Sequence, residues 1–506
     1  MESYDFVVVG SGVGLNVLSQ GINRGLKCAL IERDKIGGTC LTRGCIPSKV
    51  LVYPADIIRE AQKAEDVGVK LNIERIDWDR ISERMWREIN ESKEMEKGLS
   101  EAPNVDLYKG KGVFIDESKM EVFSQNGESL GKLEGEKFLL ASGARPLIPP
   151  IEGLEEAGYV TTKTFFGEKF PKNPWKSLII IGGGIIAAEF AHIFSAIGTD
   201  VTIVEMLPRL VSTEEPEISL ILEDNFREVM DVHLNKRAIK VKSKRNKKSV
   251  TLEDVNTGEQ TEVQAEEILV ATGRRSNADL LEVENAGIET DDKGWIKTNE
   301  FLETNVENIW CIGDANGKYQ FRHKGNYESE LVAYNIFGDS ETKRKADYSS
   351  VPWAVFTYPQ IGHVGMTQKE AIDSGHKIFV AKNRYSSIAK GFAMGIGEDD
   401  PENGLVKLVI DQSYKILGAH IIGPSAATLI QQFVYLMNSG YRCKVPEEAP
   451  PDIIPKSERA CPEAGSFMPI YNSMVIHPSL NEVAAWALGN LRPVNIKHEH
   501  HHHHSE

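Results

Sequence analysis

The chain has 506 residues, 41% of them hydrophobic and 26% charged, the balance of a globular protein with room for three or four domains. Its 74 acidic against 58 basic side chains leave a formal net charge of −16, which argues against nucleic acid and anionic membranes as partners. Six cysteines in such a length do not resemble a secreted disulfide framework, and the first strand pattern begins at Tyr4 with no room for a targeting peptide before it, so a cytoplasmic enzyme is expected.

Residues Tyr4–Val9 form a continuous apolar strand pattern that runs into the turn Gly10-Ser11-Gly12-Val13-Gly14. A helix pattern follows, then a second strand, Cys28–Ile31, ending in Glu32. Gly10 makes the tight turn, Gly12 lets backbone amides approach a pyrophosphate, and the helix N-terminus attracts its charge. Glu32 stands where a carboxylate accepts a ribose hydroxyl. Leu15 occupies the position of the fingerprint's third glycine, a departure from the pattern.

Residues 37–49 read Gly-Gly-Thr-Cys-Leu-Thr-Arg-Gly-Cys-Ile-Pro-Ser-Lys. Cys40 and Cys45 are five positions apart, about one and a half helical turns, so a bridge between them requires a bent or loosened helix start. A short, imperfectly relaxed disulfide of this kind is reduced and re-formed in use. Lys49, one helical turn beyond Cys45, would favour its thiolate. Two buried free thiols are the plainer alternative. Half of a zinc site is another, although zinc prefers a Cys-x2-4-Cys spacing with a second ligand pair, and no such cluster stands nearby. No metal-ligating set is expected.

The nucleotide pattern then repeats. Leu178–Ile181 is a strand, Gly182-Gly183-Gly184 the turn, Ile185–Ala196 a helix, and Val201–Val204 a second strand ending in Glu205. The run Leu178–Gly198 is the most membrane-like in the chain, yet its three glycines, Glu189 and His192 suit a strand–turn–helix. Two such units, each closing on an acid, point to two dinucleotides; apolar strands with merely structural glycine turns are the alternative. Glu205 would bond a ribose 2′-hydroxyl and repel a 2′-phosphate, favouring NAD over NADP. Ala187 at the third-glycine position, and Arg209 within reach of a phosphate, lean the other way.

The charged stretch Lys240–Lys248 and the turn Asn256-Thr257-Gly258 read as exposed hairpins. From about residue 349 the pattern changes to a mixed sheet with helices, including Ala427–Ser439. His420 sits in a strand and is expected to be packed, as are Cys28 and Cys311. An apparent insertion, about Cys443–Pro469, holds five prolines between Pro446 and Pro462 and reads as a surface loop with ordinary thiols, an accessory dithiol or metal pair being the other reading. His498 and His500–His504 form a tail, natural or a purification tag, that does not bear on the fold.

Further motifs are Ala141-Ser142-Gly143, Ala271-Thr272-Gly273-Arg274, Cys311-Ile312-Gly313-Asp314-Ala315, Phe356-Thr357-Tyr358-Pro359 with Val364-Gly365, and His477-Pro478-Ser479-Leu480-Asn481-Glu482. In this order the pieces resemble the class I pyridine nucleotide–disulfide oxidoreductases, flavoproteins that include dihydrolipoamide dehydrogenase and mycothione reductase. The resemblance covers roughly residues 4–490 and implies an α/β fold: two Rossmann-like domains, for FAD and NAD, and a C-terminal α+β dimerisation domain. The expected divisions are 1–154 and 275–348 for FAD, 155–274 for NAD, 349–490 for the interface and 491–506 for a tail.

Carried over by motif, Gly10, Gly12, Gly14, Glu32, Gly38, Thr39, Gly112, Ser142, Gly143, Gly313, Asp314 and Ala315 would hold FAD, with Asp314 on the ribityl chain. Gly182, Gly184, Glu205 and Gly273 would serve NAD. Lys49 would lie near the flavin and pair with Glu189; otherwise the two are ordinary solvated helix charges. Cys45 would face the flavin and Cys40 the substrate, with His477 as acid–base reaching the disulfide of the partner subunit in a homodimer. Glu482 would orient the imidazole, or merely close the capping box Ser479-Leu480-Asn481-Glu482 before the helix Val483–Leu488.

Thr42-Arg43 stands where many dihydrolipoamide dehydrogenases have Asn-Val, and several C-terminal phrases, such as Tyr358-Pro359-Gln360-Ile361, look closer to mycothione reductase. The expected reaction is dihydrolipoamide with NAD+ giving lipoamide and NADH, the lipoyl group being free or borne on a carrier protein. Reduction of another small disulfide by NAD(P)H is the alternative, and a non-catalytic nucleotide- or metal-binding protein the remote one.

Overall fold

The computed structural model describes residues 1–338, 342–439, 468–479, 481, 482 and 485. The insertion Cys443–Pro469 (save its last residues), the helix Val483–Leu488 (save Ala485) and the histidine tail lie outside the described residues.

Two parallel sheets organise the first two thirds of the chain. In the first, the strand order is Ile309–Cys311, Phe138–Leu140, Phe6–Val9, Cys28–Ile31 and Val105–Tyr108, every pair parallel. These short runs are buried along their whole length, except for one end strand, because helices cover both faces of a parallel sheet. The expected first strand divides at Asp5. Glu2–Tyr4 instead pairs with Ser129–Gly135 in a separate four-stranded sheet.

The second parallel sheet runs Asp231–His233, Asp200–Val204, Ser177–Ile181, Glu267–Val270, and the helix Ile185–Ala196 follows its central strand. The expected hairpins are a three-stranded antiparallel meander, Lys236–Lys244, Lys247–Asp254 and Gln260–Ala265. Beyond residue 350, five antiparallel strands are ordered Pro352–Val355, Gln360–Gly365, Ile416–Gly423, Leu405–Asp411, Ile378–Arg384. The single expected helix there is two, Ala426–Leu429 and Gln431–Asn438, packed on that sheet through the fully buried Ala426, Ile430 and Val434. Phe379, Phe392 and Tyr414 are largely exposed on this last unit. No described helix is long and apolar enough to cross a membrane.

Candidate active site

Gly10 has φ +101°, and a Cβ on it would stand 2.2 Å from the Ala141 carbonyl oxygen, so no other residue fits the turn. Glu32, at the end of the next strand, is fixed by the same loop: its Oε2 accepts from Ser11 N at 2.9 Å and Ser11 Oγ at 2.7 Å, and its Oε1 from Asp34 N at 2.8 Å. Gly12 abuts Gly38; a Cβ on Gly38 would come 2.6 Å from Gly12 Cα.

Gly10, Gly12, Glu32, Gly38, Thr39, Gly112, Ser142, Gly143, Gly313 and Asp314 line one cleft of about 1070 Å³, open to solvent, and Cys40 and Cys45 stand in the same wall. Ser142 Oγ is buried there with no hydrogen-bond partner among the described residues, and Gly10, Gly12, Gly38, Gly110, Gly112, Gly143, Gly313 and Gly325 bare the backbone along the wall. An unsatisfied buried hydroxyl beside a glycine-lined groove fits a large polar cofactor. Gly14, Ala315 and Lys49 are not in the wall. Gly14 lets its helix close on Val8 Cγ1, which an added Cβ would meet at 2.8 Å, and Ala315 is fully buried in the core. Asp314 forms an ion pair with Arg274 at 3.1 Å, whose Nη2 also donates to the Ala144 carbonyl.

The dithiol segment is two helices, Gly38–Arg43 carrying Cys40 and Cys45–Lys63 starting on Cys45. Gly44 separates them. A Cβ there would lie 2.9 Å from the Thr39 carbonyl oxygen, so the loosened helix start that the spacing demands is made by a close backbone approach. Both cysteines stand as free thiols, hydrogen-bonded to each other. That hydrogen bond, reinforced by Lys49 and His477 against the opposing effects of burial and Glu189, lowers Cys45 to about 6. The same bond and burial push Cys40 far above the usual thiol range. The reduced pair is therefore one thiol, Cys40, and one thiolate, Cys45.

Lys49 Nζ donates to Glu189 Oε2 at 2.7 Å across 140 residues, and lies 4.5 Å from the Phe356 ring centroid. Glu189 Oε1 accepts from Phe356 N at 3.1 Å, and its side chain is only 8% exposed. These are not two solvated charges; they are a bridge between the first and second nucleotide units.

His477 Nε2 lies 3.4 Å from Cys40 Sγ. Gln431 donates to the Met474 carbonyl and accepts from Ile476 N, and Asn481 donates to the Ala427 carbonyl, so this segment is tied to its own interface helices. Glu482 divides its oxygens: Oε1 lies 2.6 Å from His477 Nδ1, and Oε2 accepts from Ser479 N at 3.3 Å, while Ser479 Oγ accepts from Asn481 N. A carboxylate on Nδ1 fixes the proton there and leaves Nε2 for the thiol.

In the second unit Gly182 repeats Gly10, with φ +118° and an added Cβ 2.3 Å from the Ala271 carbonyl oxygen. Glu205 accepts from Leu207 N at 2.8 Å, Gly184 caps the helix Ile185–Ala196, and Gly273 has φ +123°. Arg209 is held by the Ser212 and Glu214 carbonyls. Arg43 pairs with Asp34 at 3.1 Å. Arg322, which no motif marked, lines the cleft and acts electrostatically on Cys40. It enters at the start of the helix Arg322–Phe337, and nothing in its sequence spacing relates it to Cys40.

Residues 4–333 match the family model described as pyridine nucleotide-disulphide oxidoreductase, and 351–448 match the dimerisation domain of that family. The chain is 32% identical over 445 residues to mycothione reductase from Mycobacterium tuberculosis, covering 87% of this chain and 94% of that one. It is 30% identical over 501 residues to a dihydrolipoyl dehydrogenase from Chlamydia pneumoniae, covering 98% of each. The fold is similar to a Cu(II) complex of the HOCl-induced flavoprotein disulfide reductase RclA from Escherichia coli, with a TM-score of 0.75, 26% identity, and coverage of 96% and 100%.

Proposed function

The chain belongs to the pyridine nucleotide-disulphide oxidoreductases, and from that premise we propose that it oxidises a dihydrolipoyl dithiol with NAD+ through Cys40 and Cys45. One observation carries the reading: Cys40 Sγ stands 3.4 Å from a histidine whose far nitrogen is held by a carboxylate.

The exchange balances on these groups. With Cys40–Cys45 oxidised, His477 Nε2 takes a proton from one substrate thiol, and the resulting thiolate attacks Cys40 Sγ. The Cys40–Cys45 bond breaks and Cys45 leaves as thiolate, the form its lowered pKa favours. The second substrate thiol then gives its proton to solvent, and its thiolate attacks the substrate sulfur of the mixed disulfide and expels Cys40, which takes the first proton back from His477 and stays a thiol, as its raised pKa requires. The substrate loses two electrons and the cysteine pair gains them. The reverse sequence reduces a disulfide.

Bound FAD and nicotinamide would supply the two-electron path between this dithiol and the pyridine nucleotide. Gly10, Gly12, Glu32, Gly38, Ser142, Gly313 and Asp314 would hold the flavin, and Gly182, Gly184, Glu205 and Gly273 the nucleotide. Glu205, with Arg209 tied to carbonyls, favours NAD. The exposed apolar side chains of the last unit suit the homodimer of the family, and a cytoplasmic setting keeps thiols available for exchange.

A second reading, reduction of another low-molecular-weight disulfide, is favoured by the 32% identity to mycothione reductase. Anaerobic steady-state assays with lipoamide, mycothione-like and glutathione disulfides, each with NADH and NADPH, decide between the two. Lipoamide should give the highest kcat/KM. Turnover unchanged by Cys40→Ser or Cys45→Ser, or a chain that stays colourless after reconstitution with FAD, would overturn both.

A further inference from the structure

Away from the dithiol, the described residues gather a second set of side chains with metal-binding chemistry. Glu214 lies just before the helix Pro216–Arg227 of the second nucleotide unit. His363 and His420 face each other in register on adjacent antiparallel strands of the last sheet. All three side chains are buried, none more than 8% exposed. His363 Nδ1 stands 3.0 Å from Glu214 Oε2, and His420 Nδ1 stands 2.5 Å from Glu214 Oε1. One ligating atom from each residue lies within 4.8 Å of the others.

The far side of each ring settles what its near side can be. His363 Nε2 is 3.0 Å from the Gly365 carbonyl oxygen, and His420 Nε2 is 3.0 Å from that of Met366. A carbonyl only accepts, so each Nε2 carries hydrogen. A neutral ring then presents a bare Nδ1 lone pair to a carboxylate. Three electron-pair donors converge in a buried space, and positive charge has to sit among them. Extra protons on the rings are one source; a metal ion is the other. Imidazoles that bind metal through one nitrogen and donate the other N–H to a carbonyl have this arrangement. Two histidines and one glutamate are a zinc-type donor set, whereas calcium or magnesium would demand more oxygen.

The surroundings hold the donor set in place. Trp353 stacks on His363 with ring centroids 4.3 Å apart and 15° between planes, which holds one imidazole in place. The neighbouring carboxylates already have cations: Lys407 pairs with Glu215 at 2.9 Å and with Glu217 at 2.7 Å. Tetrahedral zinc with bonds of about 2.0–2.1 Å sets its ligands about 3.3 Å apart, so the two Glu214 contacts, now 3.0 and 2.5 Å, would open by roughly 0.3 and 0.8 Å as the ion enters.

We infer that Glu214, His363 and His420 form a structural site for a divalent cation of the zinc class, which ties the loop before Pro216–Arg227 to the five-stranded sheet. Because the ion replaces protons on Nδ1, its binding would release them and weaken in acid. The site takes no part in the thiol exchange and does not depend on it.

The test is metal content of the flavin-loaded full chain in which His498 and His500–His504 are changed to alanine, so that the tail contributes nothing. The dithiol is kept oxidised for the same reason. After incubation with Zn(II) and desalting, elemental analysis should find about one zinc per chain. His363→Gln with His420→Gln should lose it while retaining bound flavin. Co(II) in place of zinc should give visible d–d absorption in the unaltered site and none in the double variant. If that variant does not fold, the Co(II) spectrum of the chain with His363 and His420 intact decides alone. No retained metal and no Co(II) band would overturn the inference in favour of protonated rings. A metal content that the double substitution leaves unchanged would overturn it as well.

Discussion

The two glycine turns look alike in sequence, yet they are packed for different tasks. Each opens on a glycine of positive φ pressed against a carbonyl, Gly10 on Ala141 and Gly182 on Ala271. The second glycine separates them. Gly12 abuts the backbone of Gly38, and Gly38 begins the helix that carries Cys40. Gly183 abuts the side chain of Glu205, and Gly184 faces open space. The first turn is thus locked to the dithiol segment, and the second to its own acid and, through the Gly183 carbonyl, to Val211 N at 2.8 Å. That contrast suits a group that stays beside the dithiol and a nucleotide that comes and goes.

Breaking the first lock should have the largest effect. Gly38→Ala places a Cβ 2.6 Å from Gly12 Cα at a φ of +66°, and backbone on both sides cannot yield. Flavin bound per chain, read from visible absorbance, should fall to a small fraction, and turnover should drop by about 10³ or more. Gly184→Ala, with no atom within 4 Å of the added methyl, should keep full flavin and alter only the nucleotide KM. Equal flavin loss in both variants would remove the contrast.

Next comes the bridge between the units. Glu189→Gln leaves Lys49 without its buried partner, and removing one member of such a pair costs about 3 kcal/mol, measurable by denaturant unfolding of the loaded enzyme. The same change removes a negative charge that raises Cys45, so Cys45 should titrate lower; Lys49→Met removes a cation and should raise it. The opposite directions distinguish a charge effect on the sulfur from a general loosening of the fold.

Much of this was legible in the chain. The two strands flanking each glycine turn and the helix Ile185–Ala196 were readable because buried parallel strands are continuous apolar runs with fixed punctuation. Cys40, Cys45 and Lys49 share one short segment, so local spacing sufficed. The partner of Lys49 came only through the family resemblance, since no periodicity spans 140 residues. The cluster of Glu214, His363 and His420 left no trace in spacing, for His363 meets its carboxylate across 149 residues and His420 across 206. His420 was expected to be packed, and it is fully buried, but against a carboxylate. A motif records that a glycine or alanine is needed without recording whether ligand or core demands it, and Gly14 packs on Val8 while Ala315 is buried in the core.

The titration of Cys45 gives a smaller but sharper test. Its pKa is lowered from the ordinary thiol range to about 6, so in the reduced enzyme the thiolate predominates above that pH and is lost below it. Alkylation of Cys45 by iodoacetamide, followed by peptide mapping, should be nearly independent of pH above about 7 and fall about tenfold per pH unit below about 6. Cys40, held as a thiol, should react far more slowly across the range. A midpoint for Cys45 near that of an ordinary thiol would mean that Cys40 and Lys49 do not act on it as their placement requires.

The smallest effect belongs to the second turn. Glu205 is buried and uses one oxygen on Leu207 N, leaving a carboxylate beside the glycine loop to accept a ribose hydroxyl. Glu205→Ser removes both that acceptor and the repulsion toward a 2′-phosphate. No cation takes over, because Arg209 is already spent on the carbonyls of Ser212 and Glu214. NADH should therefore lose about tenfold in kcat/KM while NADPH changes little, so preference narrows without reversing. Flavin content should stay full, since the first turn is untouched. A preference for NADPH in the unaltered chain would show that the acid serves only to brace its own loop, and the two turns would then differ even more than their packing indicates.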